Sequence, residues 1–234
     1  MRGLQVLYED NHLIAVNKPA GMLVQGDQTN DKPLSDYVKA YIKARYNKPG
    51  DVFLGTIHRI DRPVSGLVIF ARTSKALTRM NKLFQEREIK KTYWALTDAR
   101  PEPFKGHLEN YIAKDSSRNK AKVLMGPSRR HPDAKIGVLD YELIGELSNR
   151  YMVEVKPKTG RPHQIRVQLA NIGCPIMGDI KYGSSWAAND GNIFLHSRAL
   201  EFIHPVKKEP VRILADPPEN REWATLEDVW SAFN

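Results

Sequence analysis

The densest set of reactive side chains is His58-Arg59-Ile60-Asp61-Arg62-Pro63-Val64-Ser65-Gly66, which ends where an apolar run, Leu67 to Ala71, begins. One carboxylate stands there between two arginines, with a histidine three residues upstream. Positive neighbours favour the ionised form of a carboxylate. An ionised Asp61 suits the work of a nucleophile or base. A surface ion-pair cluster beside a turn would carry the same residue types. The protein-kinase catalytic loop also opens with His-Arg, but Ile60 precedes the aspartate and Gly66 stands where that loop needs a metal-binding Asn. No phosphate-cradling Walker sequence occurs either.

A second cluster is Lys156-Pro157-Lys158-Thr159-Gly160-Arg161-Pro162-His163-Gln164-Ile165-Arg166. Proline is tolerated in a first helical turn, so Gly160-Arg161-Pro162 is expected to open a helix that runs to about Ile172 and stops at Gly173. In such a helix His163 and Arg166 share one face. Ile165, Leu169 and Ile172 form the anchoring face, and Arg166 is aimed away from it. Its guanidinium can hold a carboxylate or phosphate bidentately, or lie along a solvated face. The seven histidines show no HExxH and no ligand spacing, and Cys174 stands alone. No metal is assigned.

The elements that must position these clusters follow from periodicity. Leu4 to Tyr8 and His12 to Val16 read as strands around Glu9-Asp10-Asn11, and Lys18-Pro19-Ala20-Gly21 as a sharp bend. Residues 33–46 carry apolar side chains at helical spacing. Leu67 to Ala71 reads as a buried strand, with Thr73 or Ser74 capping a helix striped by Leu77, Met80, Leu83 and Phe84. Lys91 to Leu96 is another strand. Residues 100–136 are polar, Pro-rich and basic, which predicts loops and shorter strands. Val138 to Leu147 and Tyr151 to Val155 form a hairpin, Asn192 to Ile203 and Val211 to Leu214 two strands, and Glu222 to Phe233 a terminal helix. Strands dominate without strict βαβ alternation, so the fold class is α+β with a mixed, largely antiparallel sheet.

The chain has 234 residues, which suits a single domain over 1–234 with one sizeable core. A single cysteine excludes a disulfide framework. Neither a signal peptide nor a run of about 20 apolar residues is visible, so no membrane association and a cytoplasmic location are expected. Lys and Arg exceed Asp and Glu by 36 to 27, a net charge of +9. That excess favours a polyanionic partner. Basic segments able to touch RNA phosphates are Arg87, Lys90 and Lys91; Lys114, Arg118, Lys120 and Lys122; and Arg129, Arg130 and Lys135.

Taken together the clusters resemble the RluA-type pseudouridine synthase family. HRIDRPVSGLVIF resembles its aspartate motif, KKTYWAL its tyrosine motif and KTGRPHQIRVQLANIGCPIMGDIKYG its arginine motif. LIAVNKPAGMLV and FLHSRALEFIHP fit as well, and the five strings occur in family order from about residue 4 to about 215. Val64 and Pro162 depart from the residues usual at those positions, without removing a reacting group. The resemblance implies a pseudouridine synthase fold with an RNA cleft and without an S4 domain, acting on structured ribosomal or transfer RNA. It implies that Asp61 is the catalytic carboxylate, Tyr93 stacks on the extracted uracil and Arg166 pairs with Asp61. It makes Arg59 the occupant of the space left by the flipped nucleotide, and Leu195 part of an apolar pocket. His58, Arg62, Arg161 and His163 join the substrate contacts. Isomerisation consumes no electrons and hydrolyses nothing, so no cofactor or metal is expected, and the chain is expected to act as a monomer. An RNA-binding module with little catalysis is the competing reading, but the expected Asp, Tyr and Arg are all present. A glycosidase would need a second carboxylate, and Asp179, the acid within these motifs, reads as structural.

Overall fold

The structure is a computed structural model that describes residues 4–115 and 117–232. It divides into two compact units. One runs to Lys90 and resumes at His196–Pro217; the other comprises Lys91–Leu195 and the segment from Pro218.

In the first unit, β1 (Val6–Glu9) and β2 (Leu13–Lys18) form an antiparallel pair, followed by α1 (Leu34–Arg45), β3 (Gly55–Thr56), β4 (Ser65–Ala71) and α2 (Ser74–Gln85). β2 and β3 each run antiparallel to β4. Every residue of β4 is buried, as a continuous apolar run requires. Thr73 caps α2, its hydroxyl oxygen accepting from the Ala76 N–H at 3.2 Å. The core joins Leu13, Leu67, Ile69, Met80, Leu200 and Phe202, with Leu77, Leu83 and Phe84 of the predicted stripe packed against it.

The second unit carries β5 (Lys90–Thr97), β6 (Lys105–Asp115), β7 (Lys120–Leu124), β8 (Lys135–Leu147), β9 (Arg150–Pro157) and α3 (Gln164–Asn171). Its strands lie in the order β5-β9-β8-β6-β7, with each neighbouring pair antiparallel. Ser148 and Asn149 both take positive φ, 50° and 59°, the conformation that a tight hairpin turn between right-twisted strands needs. Residues 105–124 depart from the expected loops and shorter strands: β6 is eleven residues long. Its polar side chains alternate with Leu108 and Ile112, so one face is solvated while the other packs, and the composition looks like that of a loop.

β10 (Leu195–Ile203) and β11 (Pro210–Leu214) complete the strands and form an antiparallel pair; β10 runs parallel to β4, with His196 opposite Ser65 and Ser197 opposite Gly66. Gly66 has φ +112°, and a Cβ there would run into the Ser197 carbonyl, so the approach of the two strands requires glycine. The expected terminal helix is two short ones, α4 (Arg221–Ala224) and α5 (Glu227–Ser231). Thr225 and Leu226 interrupt them so that Trp223 and Leu226 both bury against Trp94, Met152 and Phe194. Phe233, the predicted end of that helix, lies outside the described residues. The architecture is α+β with mostly antiparallel strands.

Candidate active site

In the first unit Asp61 is partly exposed on the loop that leads into β4. Ile60 is buried at 8 % exposure between Asp61 and the exposed Arg59, so the alternation of an extended segment turns Arg59 and Asp61 outward on the same side. The Asp61 carbonyl accepts from the Val64 N–H at 3.1 Å, closing a tight turn over Arg62 and Pro63.

That turn is held from beneath by the Lys18-Pro19-Ala20-Gly21 bend. The Gly21 N–H donates to the Arg62 carbonyl at 2.8 Å, and the Arg62 Nε–H returns a bond to the Gly21 carbonyl at 3.0 Å. Lys18 is fully buried, and its Nζ donates to the carbonyls of Met22 at 2.7 Å, Pro19 at 3.0 Å and Arg62 at 3.1 Å. Burial disfavours its charge and lowers its pKa to about 7, against the attraction of Asp61 and with the repulsion of Arg62. Arg62 extends outward to an ion pair with Asp31 at 2.7 Å, both side chains about half exposed.

Behind the loop, the Ser65 hydroxyl lies 2.9 Å from His196 Nδ1, and His196 Nε2 lies 2.9 Å from the Ala215 carbonyl. A carbonyl can only accept, so Nε2 carries the proton and Nδ1 accepts from Ser65. Full burial lowers the His196 pKa to about 4, which keeps the ring neutral at physiological pH. The pair is a fixed pin for the start of β4. His58 is similarly built in: its Nε2 accepts from the Ile69 N–H at 3.1 Å, and its ring stacks on Phe84 at 5.2 Å.

In the second unit Tyr93 is half-buried on β5, in register with Val155 of β9. Trp94 beside it is 1 % exposed, so the strand's alternation sends Tyr93 to the opposite face. Leu195 is buried at the start of β10.

The arginine cluster folds differently from its expectation. The helix begins at Gln164, not near Pro162, and His163 stands before it in the left-handed region at φ 52°. His163 and Arg166 therefore do not share a helix face. The loop is pinned by side chains. The Thr159 hydroxyl donates to Gln164 Oε1 at 2.7 Å and accepts from the Val138 N–H at 2.8 Å, while Gln164 Nε2 donates to the Val138 carbonyl. The Arg161 N–H donates to Gln164 Oε1, and Arg161 Nε donates to the Ile136 carbonyl at 2.8 Å.

Arg166 is 5 % exposed and not on a solvated face. Asp179 grips it bidentately, with Nε to Oδ2 at 2.6 Å and Nη2 to Oδ1 at 2.9 Å. The Tyr182 ring lies 5.1 Å from the guanidinium, and the Tyr182 hydroxyl lies 2.7 Å from His163 Nδ1. Asp179 precedes the 3-10 turn Ile180–Tyr182 and Tyr182 ends it, so this one turn orients both Arg166 and His163. A planar guanidinium clamped on one edge is oriented before any substrate arrives, the requirement for electrostatic preorganisation. The sequence reading of His196 as a hydrogen-bonded structural residue agrees with its place here, whereas Lys18 and Tyr182 were not singled out, because their partners are distant in the chain. Among the described residues no group of three metal-capable side chains occurs, and no helix is long and apolar enough to cross a membrane.

Comparison with known proteins identifies the family. The family model for RNA pseudouridylate synthase matches residues 12–171, a span that contains Asp61, Tyr93 and Arg166. Ribosomal large subunit pseudouridine synthase D of Zymomonas mobilis is 31% identical over 229 residues, covering 94% of this chain and 71% of that protein. The tRNA pseudouridine synthase C of Vibrio cholerae is 31% identical over 98% of this chain and 94% of its own length. The solved structure of human RNA pseudouridylate synthase domain containing 4 superimposes with a TM-score of 0.79 at 24% identity, covering 97% of this chain and 93% of that one. That likeness shows the pseudouridine synthase fold. The family model and the relatives go further: the chain belongs to the RluA-type RNA pseudouridine synthases, isomerases that act on RNA.

Proposed function

We propose that this protein isomerises specific uridines of structured ribosomal or transfer RNA to pseudouridine, with Asp61 as the catalytic carboxylate. The observation that carries the reading is the family match across the loop of Asp61, the strand of Tyr93 and the helix of Arg166. Relatives named for ribosomal and for transfer RNA support both substrate classes.

In this reaction the N1–C1′ bond breaks, the detached uracil turns, and C5 bonds to C1′ while the C5 proton passes to solvent and N1 takes up a proton in its place. Asp61 either adds covalently or removes the C2′ proton to form a glycal. Arg166, oriented by Asp179, is the arginine that the family's motif assigns as the partner of Asp61. The Tyr93 face holds the base through its rotation without fixing one orientation. A target uridine must leave its stack, at a cost of a few kcal/mol, and Arg59 fills the space it vacates. His58, Arg62, Arg161 and His163 shape the RNA-facing loops, and Leu195 contributes an apolar wall. The reading needs no cofactor or metal, and the chain works as one catalytic domain, as a monomer in the cytoplasm.

The test is to incubate the purified protein with ribosomal and transfer RNA lacking its modification, then map pseudouridine. A mass-neutral change at discrete uridines, with no free uracil, is the expected result. Release of uracil would make the protein a hydrolase, and binding with no conversion would make it an RNA-binding module.

A further inference from the structure

A groove of about 500 Å³ runs along the edge strand β7, bounded by the end of α3 and the 3-10 turn Ile180–Tyr182. Lys120, Lys122 and Lys181 line it, and no acidic side chain does. All three lysines are exposed. Three other exposed lysines of this unit are neutralised: Lys105 pairs with Glu142, Lys156 with Glu154 and Lys158 with Asp140. Among the described residues neither Lys120 nor Lys122 has a carboxylate partner. Asp115, opposite Lys120 in the β6–β7 register, turns its carboxylate into its own loop, accepting from the Ser117 N–H and hydroxyl and the Arg118 N–H. The positive charge of the groove is therefore uncompensated.

The walls are also fixed relative to each other. The Tyr182 hydroxyl accepts from the Ala121 N–H at 2.7 Å, and Lys181 Nζ donates to the Asn119 carbonyl at 3.0 Å. Lys120 Nζ stands 5.4 Å from the Tyr182 ring centroid. Buried Ala121 and half-buried Val123 pack with Val167 and alternate with the lysines, so Lys120 and Lys122 leave the opposite face of this edge strand, about 7 Å apart along it, and line the groove from its outer rim. That spacing is close to the step between successive phosphates of a nucleic-acid strand. Arg166 is 5.1 Å from the same Tyr182 ring, so a strand seated here lies one aromatic ring from the arginine assigned to the reaction.

We propose that this groove binds the sugar-phosphate backbone of a single-stranded segment flanking the target uridine. The proposal rests on RNA being the substrate and adds where a flanking strand is held. Phosphate contacts of this kind position RNA without reading its sequence, so the groove contributes affinity and register to substrates of differing sequence.

The test is the salt dependence of binding to a fluorescein-labelled stem-loop RNA with single-stranded flanks. Each single-strand phosphate contact contributes about 0.7 to the slope of log K against log salt. The variant Lys120→Gln/Lys122→Gln/Lys181→Gln should lose about 2 from that slope and bind roughly tenfold more weakly. A charge-matched control, Lys43→Gln/Lys75→Gln/Lys208→Gln, should lose less than half as much. The same stem-loop without flanks should bind the wild type and the groove variant alike. An unchanged slope, or an equal loss in the control, overturns the proposal. Should the triple variant fail to fold by circular dichroism, Lys122→Gln alone must lower the slope by about 0.7. A wild-type protein that forms no pseudouridine yet shows the slope loss contradicts the catalytic reading and leaves the groove standing. An active protein with an unaltered slope does the reverse.

Discussion

The ammonium of Lys18 lies 3.1 Å from the carbonyl oxygen of Arg62, the residue after Asp61. A buried cation thus ties the Lys18–Gly21 bend to the turn that carries the candidate carboxylate, 44 residues away. Its pKa, held near 7 by burial, sets a sign for the pH dependence of stability. Below about 7 the amine is protonated both folded and unfolded, and the fold carries the cost of burying the charge. Between about 7 and the ordinary lysine value of 10.5 the unfolded chain binds the extra proton, so this group's contribution to stability rises with pH. Urea unfolding from pH 6.5 to 10 should show a rising component in wild type that is missing in Lys18→Met. Parallel pH profiles for the two would mean that Lys18 does not titrate in the folded protein.

Asp179→Asn breaks a buried charge pair while nearly keeping its shape, and weakens the bidentate grip on the Arg166 guanidinium. A loss of about 3–5 kcal/mol in stability is expected. In a double-mutant cycle with Arg166→Met the two losses should be strongly non-additive, because both remove one interaction. Additive losses in denaturant titrations would show that the fork contributes little.

How much of this was readable in the sequence differs by element. β4 announced itself as an apolar run, α1 and α2 by helical spacing, and the β8–β9 hairpin by alternation around Ser148-Asn149. Local signals were enough there. The environment of Arg166 was not readable, because its burial depends on Asp179, thirteen residues on and across a turn. Lys18 sat in an obvious bend, yet nothing nearby indicated that a lysine would be fully buried among three carbonyls. β6 was missed because an edge-side strand with one solvated face has the composition of a loop. Asp61 stood out as a candidate by its charged neighbours and Tyr93 through the family resemblance, and neither signal depends on long-range packing.

Tyr93→Phe should keep stacking on the extracted base, whereas Tyr93→Ala should lose it. Base–aromatic stacking is worth about 1–3 kcal/mol, so the Ala variant should bind RNA containing 5-fluorouridine roughly 5- to 150-fold more weakly than the Phe variant. Equal affinities would exclude stacking. Tight binding by the Phe variant with no turnover would assign the hydroxyl to proton transfer.

Arg59, exposed on the outward side of the loop with Asp61, should help vacate the base stack without taking part in bond making. Arg59→Ala should therefore be slowed most on a stably paired stem-loop, and less where the target uridine is already unpaired, since less unstacking energy is required. Single-turnover rates on matched substrates make the comparison. An identical fold-loss on both would place Arg59 in the chemistry.

Asp61→Asn tests most directly whether the carboxylate of Asp61 carries the reaction, because it removes the charge and keeps the shape. Tritium release from RNA labelled at uridine C5 reports the bond made in isomerisation. Release by the wild-type protein and none by the Asn variant, with circular dichroism and RNA affinity of the variant nearly unchanged, is the predicted result. Appreciable tritium release by a folded Asp61→Asn protein would contradict the account.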